Sequence, residues 1–510
     1  MKNQREENSY RQIKLGALLA YVSIFVNIAS GLIYTPWMIR SIGQENYGLY
    51  TLSVSIITLF VMDFGLSAAL TRFISQYNAK EDQKSINDLL GIVYKLYILL
   101  DLIIAFALLG IYIFIGVLYK DLSSSELETL KVIYLISASF SVFSFPFITL
   151  NCILTSYEKF IVLRGSELFN RIINLSLIIG ALSLGYGIYA LVTINAFTGF
   201  ITIIIKLISV KKLTPVKVNV YYRSKELLKE ILAFSIWSTV ISVAQRFIFN
   251  IMPSLLVIFA GAANVAVFGT AAIIEGFVFA FAVGINGMFL PRVTRLVSNE
   301  NKSNLFELMI KVGRMQFMVV GLLFVGFTSL GENFIHLWIG ADFKNAYYCA
   351  VLLIFPSLIE LPGHIASTTV VAMNKVKLQS YVYIVMAFIN LILSTLFIRR
   401  MGEVGAALSI CISYIFRTLA MNVIYKKSLQ LDMKGFYIEC FVKLGGGFIL
   451  AFITSFFMSV LLPHGGWFLL FSKGIFVTVI YITCMWIFAL NNYEKHVFLS
   501  LFNKIKRRGR

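Results

Sequence analysis

Apolar residues run along almost the whole chain in blocks of about twenty with few charges, parted by short polar stretches. A helix of that length crosses the ~30 Å hydrocarbon core of a bilayer. Long runs at 96–118 and 444–462 exceed the ~10-residue alternating segments of a transmembrane barrel. The pattern predicts an all-α integral membrane protein with about fourteen transmembrane helices. They fall near 14–36, 47–71, 89–118, 132–156, 161–184, 186–205, 231–259, 265–290, 315–331, 347–373, 379–398, 404–425, 444–462 and 467–490. Residues 1–11 are polar and lead into a full-length apolar run with no evident cleavage site, so the first run is expected to remain as a membrane helix.

An even number of spans puts both ends on one side, and the distribution of Lys and Arg decides which. Most of the 44 basic residues fall in the tails and loops of the side that holds both ends, including seven in 206–229 and five in 504–510. Both termini are therefore expected in the cytoplasm. The stretch Ile42-Gly43-Gln44-Glu45-Asn46-Tyr47-Gly48-Leu49-Tyr50 is echoed 218 positions later by Ala260-Gly261-Ala262-Ala263-Asn264-Val265-Ala266-Val267-Phe268. A span follows each copy and ends at a base, Arg72 or Arg292. The expected organisation is an N-terminal lobe of six spans (1–205), a basic linker (206–230), a pseudo-symmetric second lobe of six (231–425), and two appended spans with a basic tail (426–510). Each copy begins after an even number of spans, so the lobes are related by an axis along the membrane normal, with a central cavity between them.

Composition agrees: 59% of residues are hydrophobic and 14% charged, with mean hydropathy +0.83. A soluble domain carries about 25% charge, which excludes an ordinary cytoplasmic enzyme, and the hydrophobic content excludes disorder. The net charge of +19 reads as topology and contact with anionic membrane lipid, not as nucleic-acid binding. Cys152, Cys349, Cys411, Cys440 and Cys484 are scattered through apolar segments without metal-ligand spacing and read as small core residues. No P-loop or cysteine- or histidine-rich metal motif occurs, and the external loops are too short for a catalytic domain. The reading is of a non-enzyme without cofactor or metal.

Ionisable residues inside spans are costly in lipid and should face a cavity or a partner. Lys95, Arg417 and Lys473 lie near span ends, where snorkelling also explains them. Arg171, Arg246, Asp63, Glu275 and Glu360 lie deeper. Arg246 shares a helical stripe with Ser238, Ser242, Gln245 and Asn250, and a polar face at mid-membrane implies water or ligand. Glu167, Asn170, Arg171 and Asn174 form a second stripe, unless Glu167 and Arg171 simply neutralise each other at i, i+4. Ser23, Asn27, Ser30 and Tyr34 make an uncharged stripe on span one, lining a cavity or bonding helices together. Asp63 and Glu275 lie on counterpart spans two and eight, and Glu360, His364 and Thr368 share a face of span ten, near Asn374. Such carboxylates can carry H+ or Na+ for coupling, or serve as counter-ions to Arg246 or Arg171. Pro146, Pro253, Pro356 and Pro362 interrupt spans and permit bends.

The run Thr35-Pro36-Trp37-Met38-Ile39-Arg40-Ser41-Ile42-Gly43-Gln44-Glu45-Asn46-Tyr47-Gly48-Leu49-Tyr50, with Met62-Asp63-Phe64-Gly65-Leu66-Ser67-Ala68-Ala69-Leu70-Thr71-Arg72-Phe73, resembles the start of the Wzx-type polysaccharide flippases. This family lies in the multidrug, oligosaccharidyl-lipid and polysaccharide exporter superfamily. The resemblance implies a V-shaped, alternating-access transporter in the bacterial cytoplasmic (inner) membrane. Its substrate would be an undecaprenyl-pyrophosphate-linked oligosaccharide, one repeat unit of an O-antigen of lipopolysaccharide, a capsule or an exopolysaccharide. Coupling to H+ or Na+ is implied, and a polysaccharide polymerase and chain-length regulator are the implied partners. Arg246, Arg171, Lys95 and Arg417 are the bases expected to meet the pyrophosphate. An arginine fork in a low-dielectric cavity can replace the hydration that a pyrophosphate sheds. Asn27, Asn174, Gln245 and Asn250 are expected to meet sugar hydroxyls, with Asp63, Glu275 and Glu360 as coupling or counter-charge groups. A lipid II-type flippase and a multidrug/cation antiporter of the same superfamily are the alternatives. A membrane polysaccharide polymerase would need a large external loop that is absent.

Overall fold

Lipid offers no hydrogen bonds to a backbone, so each segment crossing it must satisfy its own peptide groups. The computed structural model accordingly contains helices and no strand among its described residues, 2–286, 293, 296–297, 302–373, 375–462, 465–492 and 494–495. Arg292, the end of the eighth expected span at 287–290, Asn374, the tail 504–510 and the Ser238 side chain lie outside that description. The chain is a multi-pass membrane protein: eleven helices among the described residues are long and apolar enough to cross a bilayer.

Three of the fourteen expected spans are not separate members of that eleven, each for a physical reason. The second is broken, since Gln44–Phe60 (α2) unwinds over 61–65 and the chain resumes as Leu66–Ala79 (α3). The fifth, Phe160–Ser183 (α7), carries Arg164, Glu167, Asn170, Arg171 and Asn174, which lower its hydropathy. The eleventh and twelfth run together as Val376–Ser428, two helices meeting at Gly402, whose φ of 55° and ψ of −132° suit only glycine. Pro146, Pro253 and Pro362 do sit at helix breaks, while Pro356 lies within a helix, Lys344–Glu360.

Contacts divide the chain into two compact units, Met1–Gly269 with Ser394–Glu403, and Thr270–Leu393 with Val404–Arg510. In the first unit the opening helix Lys2–Ile42 (α1) packs along α7. The two run parallel, because Gly16 lies on Phe160 at one end and Ser30 bonds Arg171 further along. Gln83–Leu118 (α4) starts on Asp82, whose carboxylate accepts from the Ser85 hydroxyl and N–H; these bonds hold its carboxyl below the usual carboxylate range. Ile188–Leu213 (α8) and Lys225–Asn250 (α9) leave only 214–224 irregular within the expected linker. That stretch lies on the first turns of α4. Asn219 N–H donates to Asn87 O at 3.1 Å, its side chain donates to Asp88 Oδ1 at 2.5 Å, and Gly91 leaves no room for a Cβ beside Asn219.

The internal repeat has a conformational basis. Gly43 (φ 86°, ψ 158°) precedes α2, and Gly261 (φ 90°, ψ 169°) precedes Ala262–Asn286 (α11). Each is followed by an asparagine bonding back one turn: Asn46 to Ile42 O at 2.8 Å, and Asn264 to Ala260 O. The copies touch within the first unit, Gly48 against the Ala262 carbonyl and Thr51 against Gly269. Thr51 and Gly269 are themselves 218 residues apart, so equivalent positions face each other. Small residues allow this close approach, which drives helix association where lipid and side chain are equally apolar.

In the second unit, Lys302–Trp338 (α12) packs on Lys344–Glu360 (α13), Lys443–Leu461 and Trp467–Phe488. Buried Arg314 on α12 makes a bidentate pair with Glu494 (Nε–Oε1 2.5 Å, Nη2–Oε2 2.7 Å) and also donates to Glu439 O at 2.7 Å. Glu439 belongs to a π-helical turn, Ile438–Val442. The pair fastens the chain beyond the last long helix to α12.

Candidate functional site

Breaking a membrane helix exposes orphan carbonyls on one side and orphan N–H groups on the other, and both must be satisfied nearby. At 61–65 the second span solves this with polar side chains. Phe64 (φ 51°) and Gly65 (φ 67°) reverse the backbone, and the Asp63 carboxylate accepts from Gly65 N–H at 3.3 Å and Ser67 N–H at 3.4 Å. Three residues on one face of α9 attend to the carbonyls. Arg246 Nη1 donates to Thr58 O (2.7 Å) and Val61 O (3.1 Å), Thr239 to Phe64 O (2.5 Å) and Ser235 to Gly65 O (3.4 Å). Ser235 and Thr239 were not singled out from sequence, although they lie on Arg246's helical face at intervals of four and seven.

A second polar seam crosses α1, α2, α7 and α8. Arg171 Nη2 donates to the buried Ser30 hydroxyl at 3.2 Å, and otherwise the residue is exposed. One turn on, Asn174 donates to Asn195 Oδ1 (2.6 Å) and Thr198 Oγ1 (2.9 Å), and Asn195 donates to Tyr50 OH at 3.3 Å. Among the described residues Ser23 Oγ, Tyr34 OH and Asn170 Oδ1 are buried without a hydrogen-bond partner. The alternative of a self-neutralising Glu167–Arg171 pair is corrected: Glu167 bonds Arg164 at 2.9 Å, three residues away, which leaves Arg171 on a neutral partner. Asn195 and Thr198 were missed, although with Thr202 they repeat at i, i+3 and i+7 and so mark one polar face of α8.

The third arrangement is in the second unit. Arg417 is 4% exposed, forms a salt bridge with Glu360, donates to Tyr383 OH at 2.7 Å and lies 4.8 Å from the Tyr414 ring centroid. Snorkelling therefore does not describe Arg417, and Glu360 is a counter-ion to Arg417 instead of Arg246 or Arg171. The pair opens on a cavity of about 30 Å³ lined also by His364, Gln379 and Asn422, room for about one water. His364 starts its helix, His364–Ala372, after the break Leu361–Gly363, and the carboxylate, imidazole and amides lining the cavity are suitable partners for an ordered water.

The remaining expected residues are dispersed. Lys95 Nζ donates to Tyr222 O at 2.9 Å and so ties the linker to α4. Lys473 Nζ donates to Leu462 O at 3.0 Å. Asn27 and Gln245 are exposed, and Asn250 is half-buried at the end of α9. Asp63 lies in a broken span while Glu275 lies, half-buried, inside the continuous α11, so the two are not structural equivalents. Among the described residues no cluster of three or more His, Cys, Asp or Glu forms a metal site.

The class of protein is defined by fold. The chain superposes on the lipid II flippase MurJ in an inward closed conformation with a TM-score of 0.69 at 15% identity, covering 92% of this chain and 98% of that one. It matches an inward-facing multidrug resistance MATE family transporter of the MOP superfamily with a TM-score of 0.67 at 15% identity, covering 80% and 94%. The eukaryotic MATE transporter AtDTX14 follows at 0.61 and 14%, covering 83% and 98%. The fold is thus one shared with these MurJ and MATE structures. Residues 16–297 match the polysaccharide biosynthesis protein family, and the chain belongs to it. It is similar to the capsular polysaccharide biosynthesis protein CapF of Staphylococcus aureus, 29% identical over 153 residues; the match spans 29% of this chain and 37% of that relative's length.

Proposed function

We propose that the protein is a flippase carrying undecaprenyl-pyrophosphate-linked oligosaccharide repeat units from the cytoplasmic to the outer leaflet of a bacterial cytoplasmic membrane, for capsule, exopolysaccharide or O-antigen assembly. The reading extends to two lobes split at 206–230 that alternate access, with both termini in the cytoplasm and no catalytic chemistry of their own. Arg171 carries it. Of the four bases expected at a pyrophosphate, Lys95 and Arg246 are engaged with backbone carbonyls and Arg417 with a carboxylate, whereas Arg171 is bonded to a neutral hydroxyl and exposed. An arginine so placed retains its charge and most of its fork for an anion. Beside it, Asn174, Asn195 and Tyr50 offer hydroxyl and amide groups suited to sugar. Glu360 and Glu275 are the groups proposed to couple transport to H+ or Na+.

Deleting the gene and measuring both surface polysaccharide and the intracellular lipid-linked repeat unit tests this. Loss of polymer with build-up of complete single units on the cytoplasmic face is the expected result. Single units facing outward would point to a polymerase step. Intact polysaccharide with new drug sensitivity would point to a cation antiporter.

A further inference from the structure

An open groove of about 460 Å³ runs along the packing seam of α1 and α7, walled by Phe25, Ile33 and Trp37 on one helix and Leu175 and Ile179 on the other. Its lining is apolar except at Ser30, the residue that holds Arg171 at 3.2 Å, and at Tyr34, whose hydroxyl is buried. Arg171, Leu175 and Ile179 are spaced at i, i+4 and i+8, so the guanidinium and the groove share one face of α7. An exposed cation beside an apolar trough is the complement of a single-chain amphiphile with an anionic head.

Depth selects which amphiphile. Arg171 lies eleven residues from one end of α7 and twelve from the other, roughly 17 Å from each at 1.5 Å per residue. A resident glycerophospholipid keeps its phosphate at the interface, so a phosphate level with Arg171 belongs to a lipid in transit. The buried Tyr34 OH and the Asn170 side-chain amide, whose Oδ1 lacks a partner, lie next to this level and supply further polar groups. We infer that the α1–α7 groove binds the polyisoprenyl chain of the transported lipid, with Arg171 holding its phosphate. The inference takes the identity of the lipid from the proposed function and adds where its tail lies. On α7 the groove runs from the level of Arg171 to Ile179, while on α1 it runs from Phe25 to Trp37 and so passes Ser30 on both sides.

The test is photolabelling of the purified full-length protein with undecaprenyl monophosphate carrying a diazirine in its chain. Label is expected on peptides spanning 25–37 and 175–179, competed by undecaprenyl phosphate and not by phosphatidylglycerol. Ala29→Trp, which fills the groove, is expected to lower labelling about tenfold, the equivalent of losing roughly two buried methylenes. Should that variant melt early, Ile33→Ser at a position 76% exposed gives the same direction without disturbing packing. Arg171→Gln should weaken labelling by the phosphate probe and leave labelling by the corresponding prenol unchanged. Label elsewhere, equal competition by phosphatidylglycerol, or labelling indifferent to both groove variants would overturn the inference. The deletion strain reads transport separately. Accumulated repeat units without groove labelling reject the groove alone, and labelling without accumulation rejects the transport reading.

Discussion

At the scale of the residue, each membrane-embedded arginine differs by what it is bonded to. Arg246 satisfies two carbonyls at the end of α2, and leaving buried carbonyls unpaired costs about 1–3 kcal/mol each. Arg246→Ala is therefore expected to abolish transport and to lower thermal stability in detergent, whereas Arg246→Lys keeps a donor and part of the activity. Normal surface polysaccharide at normal protein levels in the Ala strain would reject that importance. For Arg417, removing its partner is the informative change: Glu360→Gln should destabilise the protein by about 3–5 kcal/mol, because the guanidinium stays buried without a counter-charge. Glu360→Gln combined with Arg417→Met should recover most of that loss, since the unpaired charge is then gone. Unchanged melting in the single variant would mean that the pair contributes nothing.

The element scale is governed by where helices stop. Gly43 and Gly261 hold φ near 90° with extended ψ, and nothing lies within 4 Å of a Cβ added at either. Substitution there tests backbone strain without steric collision. Gly43→Ala and Gly261→Ala should each cost about 1–3 kcal/mol in stability, by nearly equal amounts, since the conformations match. Unequal losses, measured by thermal melting of the two variants, would argue against equivalent roles in the repeat. The broken second span follows the same logic: Asp63-Phe64-Gly65 stands out in the sequence as a motif, and its structural content is a reversal of backbone that α9 must then cap.

For the whole molecule, the likeness to the MurJ and MATE structures is one of fold, at 14–15% identity. The proposed topology, which follows the charge asymmetry, has both termini in the cytoplasm. Reporter fusions at residues 1 and 510 should fluoresce as cytoplasmic fusions do and show no periplasmic-type phosphatase activity. Opposite behaviour of the two ends would require an odd number of crossings and would undo the two-lobe reading. The same fusions placed in 214–224 should also report the cytoplasmic side.

Sequence alone determined that the chain is helical and membrane-spanning, because backbone satisfaction in lipid leaves few options and apolar length is written locally. It also revealed the Gly-Asn repeat and the polar stripes of α7 and α9, since helical periodicity places such residues on one face whatever surrounds them. Tertiary structure decided the partners. Glu360 and Arg417 are 57 residues apart, as are Ser30 and Arg171 by 141 and Arg314 and Glu494 by 180, and no local pattern states which distant helix will lie alongside. It also decided the break at 61–65, inside a span that the sequence reads as continuous, because a helix break in lipid survives only where a neighbouring helix absorbs it, and that neighbour is chosen by packing; the break at Gly402 falls where the sequence already divides two spans.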